Sequence, residues 1–329
     1  MLLMDMKLMQ SLFNRAEDGD IEIFETFVSR WIDKKATIKP FRGSANFVLL
    51  VQNDDDRYFL RFNEEEMRST QELKAEIDYL LFLKSEGNNI GTPVESLQGN
   101  YVETFDIDDT IFNAVMFKEV KGKQLECDEL SSEYFRLWGR SMAKMHSASK
   151  CYPVDTRRKD WETLLDDAMN LVPEENSIFT RVCMDIRQRL NKLPRDREVY
   201  GLIHFDMEQD NLIWKDKEVH AIDFDDCSYH WFIADIAYAL RDIFDDGKKI
   251  DLSHEGFKAF MEGYRSCASA GEFWIDQLPL MYEFHKIIQY AHISRSFKNV
   301  DPENETSWAR KLRERHEIYL KELEKGFTK

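Results

Sequence analysis

Residues 199–226 read VYGLIHFDMEQDNLIWKDKEVHAIDFDD, and the pattern within them predicts the fold class. Two short apolar runs, NLIW and VHAIDF, flank a polar turn at residues 215–217. Short apolar runs on either side of such a turn predict a β-hairpin. The stretches before and after it carry apolar residues at helical spacing, so we expect the hairpin to lie inside a mostly helical half of the chain.

Three polar residues stand at the ends of this predicted hairpin. Asp206 and Asn211 precede its first strand, and Asp223 closes the second. A hairpin of this length brings Asn211 and Asp223 together, and an amide oxygen beside a carboxylate suits Mg²⁺. Asp206 is then free to face a substrate hydroxyl, which completes the set that phosphoryl transfer needs. Polar residues also gather in ordinary turns, but the place of Asp223 on an apolar strand favours the functional interpretation.

The first half of the chain shows the two-residue periodicity of strands. Ser69 and Glu72 form a capping-box pattern that starts one helix, which Gly87 ends, and a further helix is predicted over residues 20–33. The predicted strands are ATIKPF, NFVLLVQ, RYFLRF, YVETFDI and NAVMFKEV. We therefore expect an α+β chain, with an antiparallel sheet of about five strands and one internal helix in residues 1–119. Residues 120–329 are expected to be mostly helical, with 121–123 as the linker.

Arg61 and Glu76 are predicted to meet in the first half. Strand alternation puts Arg61 on the same face as Phe59, and Glu76 falls in the apolar stripe of the helix. A carboxylate in such a stripe needs a cation. The pair would hold the arginine against nucleotide phosphates, although an ion pair that only stabilises the fold explains the two residues equally well. The stretch Gly43-Ser44-Ala45-Asn46, between two strands, forms a weak phosphate-loop pattern, although one glycine between two strands is usually only a turn.

Together these features resemble the aminoglycoside phosphotransferase family, which has the protein-kinase-like fold and also contains choline, homoserine, fructosamine and methylthioribose kinases. The resemblance extends from about Thr37 to Phe244. HFDMEQDN resembles the catalytic loop of the family, and Ile222-Asp223-Phe224 resembles its metal-binding motif. A helix motif of the family is similar to the pattern formed by Gly139, Ala143 and His146.

The resemblance implies a role for each matching residue. Asp206 would be the catalytic aspartate, Asn211 and Asp223 would hold Mg²⁺, and Asp235 would brace the catalytic loop. The remaining positions would bind ATP or GTP: Gly43 and Ser44 at the phosphates, Arg61 on the phosphates with Glu76 as its partner, and Lys118 and Val120 as the hinge that faces the base. The implied fold has two lobes, a sheet lobe at residues 1–119 and a helical lobe at residues 120–329, with the nucleotide between them.

The sequence departs from the family pattern beside two of these positions. Phe205 replaces a glycine next to the catalytic aspartate, and its ring is expected to narrow the acceptor pocket. Asp225 and Asp226 stand where a glycine is expected, and Asp226 is interpreted as part of a solvated turn. These departures support an alternative, a pseudokinase that binds nucleotide without turnover. A protein Ser/Thr kinase is a weaker alternative, because the Ala-Pro-Glu motif is absent.

Composition narrows the class of partner. The 329 residues carry 45 Lys and Arg against 62 Asp and Glu, a net charge of −17 that disfavours binding to nucleic acids and membrane surfaces. Five scattered cysteines without a CxxC pattern predict reduced thiols and a cytoplasmic protein. The preferred interpretation is a kinase for a small-molecule hydroxyl acceptor, such as an aminoglycoside, an amino alcohol or a sugar. Charge does not identify the acceptor, because the acids are spread over both halves, and the oligomeric state stays open.

Overall fold

The computed structural model describes residues 3–54, 56–172, 177–245, 248–300, 303 and 305–327. Its first lobe is built on an antiparallel sheet of six strands in the order β1-β2-β3-β6-β4, with β5 also paired with β6. The strands are β1 Thr37–Gly43, β2 Phe47–Asn53, β3 Asp56–Glu64, β4 Thr92–Val94, β5 Val102–Ile107 and β6 Thr110–Lys118. The predicted α+β lobe is confirmed. The strand count missed β4, since three residues that include a proline are too short to show periodicity.

Two N-terminal helices, α1 Met6–Glu17 and α2 Glu22–Val28, cover the outer face of this sheet. Phe24 and Phe27 of α2 are fully buried, and the ring of Phe27 lies 4.5 Å from that of Phe62 on β3. The helix predicted over residues 20–33 therefore forms, but only in its middle. Helix α1 was not predicted, although its buried Met6, Met9 and Leu12 repeat every third residue.

The internal helix α3, Thr70–Ser85, connects the sheet to the second lobe. It begins at the predicted capping box, in which Ser69 and Glu72 bond reciprocally. Its apolar side chains belong to the same hydrophobic core as the helices that follow, and the hydroxyl of Tyr79 donates to the carbonyl of Leu202 at 3.0 Å. One face of α3 is thus anchored in the second lobe.

The second lobe is mostly helical, as expected, and contains two small strand pairs. Its helices are α4 Ser132–Ser149, α5 Trp161–Leu171, α6 Ser177–Leu190, α7 Phe232–Ala239, α8 Glu255–Arg265, α9 Glu272–Ile275, α10 Leu278–Ser296 and α11 Ser307–Phe327. The strands are β7 Tyr200–Ile203, which pairs with β10 Ser228–Trp231, and β8 Leu212–Lys215, which pairs with β9 Glu218–Ala221. The β8–β9 pair is the predicted hairpin. Among the described residues, no helix has the length and apolar character needed to cross a bilayer.

The segment that joins the lobes is fastened to the hairpin. Lys123 exchanges two backbone hydrogen bonds with Trp214 of β8, at 2.9 and 2.7 Å. A Cβ atom on Gly122 would lie 2.6 Å from the Trp214 carbonyl oxygen, so only glycine allows this approach. Because the last strand of the sheet ends at Lys118, we propose that the lobe boundary follows Glu119, with 1–119 and 120–329 on either side.

Helices α4 and α8 approach each other through glycines. A Cβ atom on Gly139 would come within 2.0 Å of the Phe260 carbonyl oxygen, and one on Gly263 would come equally close to that of Arg136. The two backbones therefore touch, and this contact fixes the helix that carries His146.

Gly139→Ala is expected to reduce the free energy of unfolding by roughly 1–3 kcal/mol or more, because the added methyl group must push the two backbones apart. Denaturant unfolding followed by circular dichroism measures the loss. Gly326→Ala is the control, since a Cβ there meets open space and alanine favours the helix. Equal stability of Gly139→Ala and wild type would show that α4 and α8 are not in backbone contact.

Candidate active site

A cleft of about 320 Å³ lies between the sheet and the β8–β9 hairpin. Its apolar walls include Phe41, Val48, Phe59, Phe117, Ile213 and Ile222. Most of the residues predicted for the site line it, namely Ser44, Arg61, Lys118, Val120, Asn211 and Asp223. Glu76 and Asp206 are not part of the lining but contact it. Glu76 contacts Arg61, and Asp206 contacts Asn211.

Arg61 is held in the cleft by contacts on several sides. Its Nη2 atom donates to both carboxylate oxygens of the fully buried Glu76, at 2.8 and 2.7 Å. Its Nη1 atom donates to Oδ1 of Asp223 at 3.2 Å, and its guanidinium lies 5.2 Å from the ring centre of Phe117. Burial alone would lower the pKa of Arg61, but the charges of Glu76, Asp225 and Asp223 raise it. The predicted pair is therefore present and leaves one nitrogen directed at the other lobe.

Asn211 and Asp223 offer oxygen atoms suited to a divalent cation. The Nδ2 atom of Asn211 donates to the carbonyl of Asp206 at 2.8 Å, which turns the side-chain oxygen away from that loop. In the described part of the chain, that oxygen accepts no hydrogen bond, and the same holds for Oδ2 of Asp223. Two hard oxygens fit Mg²⁺, which takes its other ligands from phosphates and water. The described residues contain no cluster of three His, Cys, Asp or Glu side chains that could hold a metal ion alone.

The electrostatic surroundings of the Asp223 carboxyl also favour a bound cation. Burial between the lobes, followed by the charge of Asp225, raises the pKa of Asp223 well above the ordinary value, against the opposing effect of Arg61. About 40% of the side chain is nevertheless exposed, and this exposed part faces the cleft. A bound cation would stabilise the ionised form, so the donor set and its electrostatics agree.

Asp206 differs from its predicted state. The sequence interpretation left it without a cation, but Nη1 of Arg241 donates to its Oδ1 atom at 2.9 Å. The same guanidinium forms an ion pair with Glu208, and all three side chains are largely buried. The motif itself supplies no cation, and Arg241 was not predicted because it lies 35 residues along the chain, beyond the reach of any local pattern. Oδ2 of Asp206 lies 3.3 Å from Nδ2 of Asn211 and is the oxygen left for a substrate.

The catalytic loop is braced by Asp235, as the family resemblance implies. The carboxylate of Asp235 accepts from the backbone amides of His204 and Phe205, at 3.1 and 2.9 Å, and lies 2.9 Å from Nε2 of His146. Phe205 has a φ of +73°, the left-handed conformation that glycine adopts without strain. The two hydrogen bonds that Asp235 accepts hold the loop in this conformation.

The ring of Phe205 does not face the cleft, which corrects the expectation that it narrows the acceptor pocket. It is 2% exposed and lies 5.0 Å from the ring of Tyr238 in the core of the helical lobe. The neighbouring His230, Trp231 and Phe232 are also buried, so this aromatic cluster is core packing.

Asp225 and Asp226 are both engaged in ion pairs. Asp226 pairs with Arg68 and is largely buried, so its interpretation as a solvated turn was wrong. Asp225 accepts from Nδ2 of Asn46 at 2.7 Å and from Nη2 of Arg68 at 3.4 Å. The sequence patterns did not predict the contacts of Asn46, Arg68 and Arg241, since none of these residues lies near its partner in the chain.

Gly43 and Ser44 have different surroundings. A Cβ atom on Gly43 would lie 2.8 Å from the ring of Phe13, so packing against α1 accounts for the glycine. Gly43 does not line the cleft, whereas Ser44 does. Of these two residues, therefore, only Ser44 lies where it can contact a phosphate group.

The predicted hinge residues lie at the end of β6. Lys118 pairs with Tyr58 of β3 and Thr92 of β4, and its ammonium group lies 3.0 Å from Asp56 at the surface. Val120 lies just beyond the strand, and within the described residues its backbone amide donates to no protein acceptor. That free amide in the cleft is compatible with a base-binding role for Val120.

The comparisons with known proteins agree with this geometry. The family model for the phosphotransferase enzyme family, APH, matches residues 37–269, more than half of the chain. The chain belongs to this family. The predicted resemblance is thus confirmed, and the protein is a phosphotransferase of a family of small-molecule kinases.

Individual members of the family are similar over most of their length. Amicoumacin kinase of Bacillus subtilis (strain 168) is 24% identical over 290 residues, which cover 84% of this chain and 85% of that protein. The solved amicoumacin kinase hAmiN, in complex with AMP-PNP, Ca²⁺ and Ami, aligns with a TM-score of 0.75 at 22% identity over 96% of both chains. A microcompartment-associated aminopropanol kinase aligns with a TM-score of 0.68 at 23% identity over 86% of this chain and 91% of that one. These structures share the fold.

Arg61→Met is expected to lower the free energy of unfolding by about 3–5 kcal/mol, because Glu76 is left buried without its cation. In a double-mutant cycle, R61M/E76Q should be less destabilised than the sum of the single changes, as for contacting residues. The control is Arg57→Met, on the same strand as Arg61, which breaks a partly exposed ion pair with Glu119. It should lower the free energy of unfolding by less than about 1 kcal/mol. Strictly additive effects of Arg61→Met and Glu76→Gln would contradict the coupling.

Glu208 is expected to make stability depend on pH. Burial, followed by the charge of Asp206, raises the pKa of Glu208 from 4.5 to about 7 despite Arg241. The folded protein therefore holds this proton more tightly than the unfolded chain does. Stability falls as the pH rises through this range, by up to about 3 kcal/mol.

Denaturant unfolding between pH 4.5 and 8 measures this effect. The stability of wild type relative to Glu208→Gln should decrease as the pH rises. Glu86→Gln removes the same charge at an exposed position and is the control. Parallel pH profiles for wild type and Glu208→Gln would refute the assignment.

Proposed function

We propose that this phosphotransferase transfers the γ-phosphate of ATP or GTP to a hydroxyl group of a small molecule. The observation that carries the proposal is an unbroken series of contacts along the cleft. Arg61 contacts Asp223 at 3.2 Å, and Asn211 contacts Asp206 at 3.3 Å. The backbone joins these two pairs, since the amide of Ile222 donates to the carbonyl of Asn211 at 3.0 Å.

The nucleotide would occupy the length of the cleft. Its base would lie among the apolar side chains near Val120, whose amide is available as a donor, and Lys118 would complete the hinge. The phosphates would reach Arg61 and Ser44, with Glu76 holding Arg61 in place. Gly43 would contribute only by allowing the close packing of the loop against α1. A solved relative contains AMP-PNP and Ca²⁺, which supports a nucleotide with a divalent cation.

Asn211 and Asp223 would hold Mg²⁺, which when bound neutralises phosphate charge. Asp206 would accept the proton of the acceptor hydroxyl at Oδ2, because Oδ1 is occupied by Arg241. The hydroxyl oxygen forms its bond to the γ-phosphorus as the bond to the bridging oxygen breaks, and the nucleoside diphosphate leaves. Arg241 holds the Asp206 side chain in place, and positioning and charge stabilisation supply the rest.

Local charge favours an acceptor that carries an amine. After burial, the charges of Asp242, Glu126, Asp128 and Asp210 raise the pKa of Cys127, so four carboxylates lie around this thiol. Asp210 directly precedes Asn211, and its carbonyl accepts from the side chain of Gln124 at 2.5 Å. This acidic group therefore lies beside the catalytic loop. Ammonium groups are attracted to such a surface. An amino alcohol or aminoglycoside is therefore favoured over a neutral sugar, in line with the amicoumacin and aminopropanol kinases among its relatives.

One observation favours the alternative of a nucleotide-binding pseudokinase. The carboxylate proposed as catalytic is held in an ion pair by Arg241, which occupies one of its two oxygens. The Asp206 variant below separates the two functions.

Asp206→Asn keeps the size of the side chain and removes its charge. It is expected to leave Mg–ATP or Mg–GTP binding near the wild-type level and to reduce turnover by about 10²–10⁴-fold. Release of nucleoside diphosphate in a screen of amino alcohols, aminoglycosides and sugars measures turnover, and calorimetry measures binding.

The control is Asp210→Asn, which removes a carboxylate from the same loop outside the proposed chemical step. Its turnover should fall by much less, mainly through weaker binding of cationic acceptors. Wild-type turnover in Asp206→Asn would exclude Asp206 as the catalytic carboxylate. Nucleotide binding by wild type without turnover on any acceptor would support the pseudokinase.

A further inference from the structure

The loop between β1 and β2 is fixed by its own hydrogen bonds. The backbone amide of Ser44 donates to the carbonyl of Asn46 at 3.0 Å, and the carbonyl of Ser44 accepts from the amide of Met4 at 2.8 Å. Asn46 is only 5% exposed although it lies beside the cleft. The part of the loop that would meet phosphates is therefore a rigid turn closed on its outer side by the N-terminal segment.

Both polar atoms of the Asn46 side chain have partners on different parts of the protein. Nδ2 donates to Oδ2 of Asp225 at 2.7 Å, a contact between residues 179 positions apart. Oδ1 lies 3.4 Å from Nδ2 of Asn63 on β3, which also donates to the carbonyl of Ala45 at 2.7 Å. Asn63 thus orients the amide so that its donor points across the cleft to the second lobe.

Asp225 belongs to the segment that carries the proposed metal ligand. It follows Asp223 by two residues, and its carbonyl accepts from Nη2 of Arg158 at 2.7 Å. Its carboxylate also lies 3.4 Å from Nη2 of Arg68. The backbone from Asp223 to Asp225 is therefore held from behind by an arginine, and from across the cleft by Asn46.

We propose that Asn46 is a positioning residue that ties the β1–β2 loop to the metal-binding segment, so that Ser44 and Asp223 are placed together before the nucleotide enters. This inference rests on the proposed kinase function. A further contact holds the lobes together elsewhere, because the amide of Gly91 donates to the carbonyl of Ala221 at 2.8 Å. The cleft is thus pre-assembled, and Mg–nucleotide affinity depends on the Asn46–Asp225 bond.

A reciprocal exchange tests the bond itself. N46D places two carboxylates side by side where Asn46 now donates, and is expected to weaken Mg–ATP or Mg–GTP binding about tenfold or more. N46D/D225N restores one donor and one acceptor with their roles exchanged, and should recover most of that loss. Gln52→Glu, an exposed position on β2, adds the same charge away from the cleft and should bind as wild type does.

Calorimetry with Mg–ATP and Mg–GTP, and with each nucleotide in EDTA, gives the affinities. The proposal predicts that N46D mainly weakens the Mg²⁺-dependent part of binding and that, with an acceptor, KM for nucleotide rises more than kcat falls. Asn46→Ala, which adds no charge, should show a smaller change in the same direction and serves if N46D does not fold.

Two outcomes would overturn the inference separately from the proposed function. Wild-type affinity in both N46D and Asn46→Ala, or no recovery in N46D/D225N, would exclude the positioning role while leaving the kinase proposal intact. Absence of binding of either nucleotide to the wild type would overturn the proposed function, and this inference with it.

Discussion

The carboxylate of Glu76 is completely buried, and it is compensated there by the guanidinium of Arg61, which donates to both of its oxygens. A buried carboxylate without such a partner would be strongly destabilising. The pair joins β3 to α3, and its geometry directs the other nitrogen of Arg61 to Asp223 in the second lobe. A lysine has a single nitrogen and no planar fork, so it would not make both contacts in this way. The arrangement of the cleft follows from this one bidentate contact.

The charges around the cleft do not balance. Three arginines contact six carboxylates there: Arg61, Arg68 and Arg241 against Glu76, Asp206, Glu208, Asp223, Asp225 and Asp226. The excess is negative; burial first, and then the charges of neighbouring carboxylates, raise the pKa values of Asp223 and Glu208. A divalent cation at Asp223 would remove most of this excess. Nucleotide phosphates, which add negative charge, are therefore expected to enter together with the cation.

Sequence patterns predicted the parts of the site that depend on neighbours in the chain. The β8–β9 hairpin followed from two apolar runs around a turn, and the Arg61–Glu76 contact followed from strand alternation and a helical stripe. The arginine on Asp206 and the bond from Asn46 to Asp225 were missed, since 35 and 179 residues separate the partners. Nothing in a periodic pattern encodes such a contact. The short strand β4 was missed for a different reason, because three residues carry no period.

Phe205 shows how a departure from a family motif is accommodated. A phenylalanine at φ +73° pays a conformational cost of about 1 kcal/mol or more that glycine does not. Two interactions offset this cost. Asp235 accepts from the backbone amides of His204 and Phe205, and the Phe205 ring is buried in the helical lobe. The backbone of the catalytic loop is therefore set by Asp235 and the core rather than by a glycine. Since the ring points away from the cleft, its presence changes the packing of the lobe and does not fill the cleft. The replacement of a glycine by Phe205 supported a pseudokinase when only the sequence was considered. In the structure it gives no reason to exclude turnover.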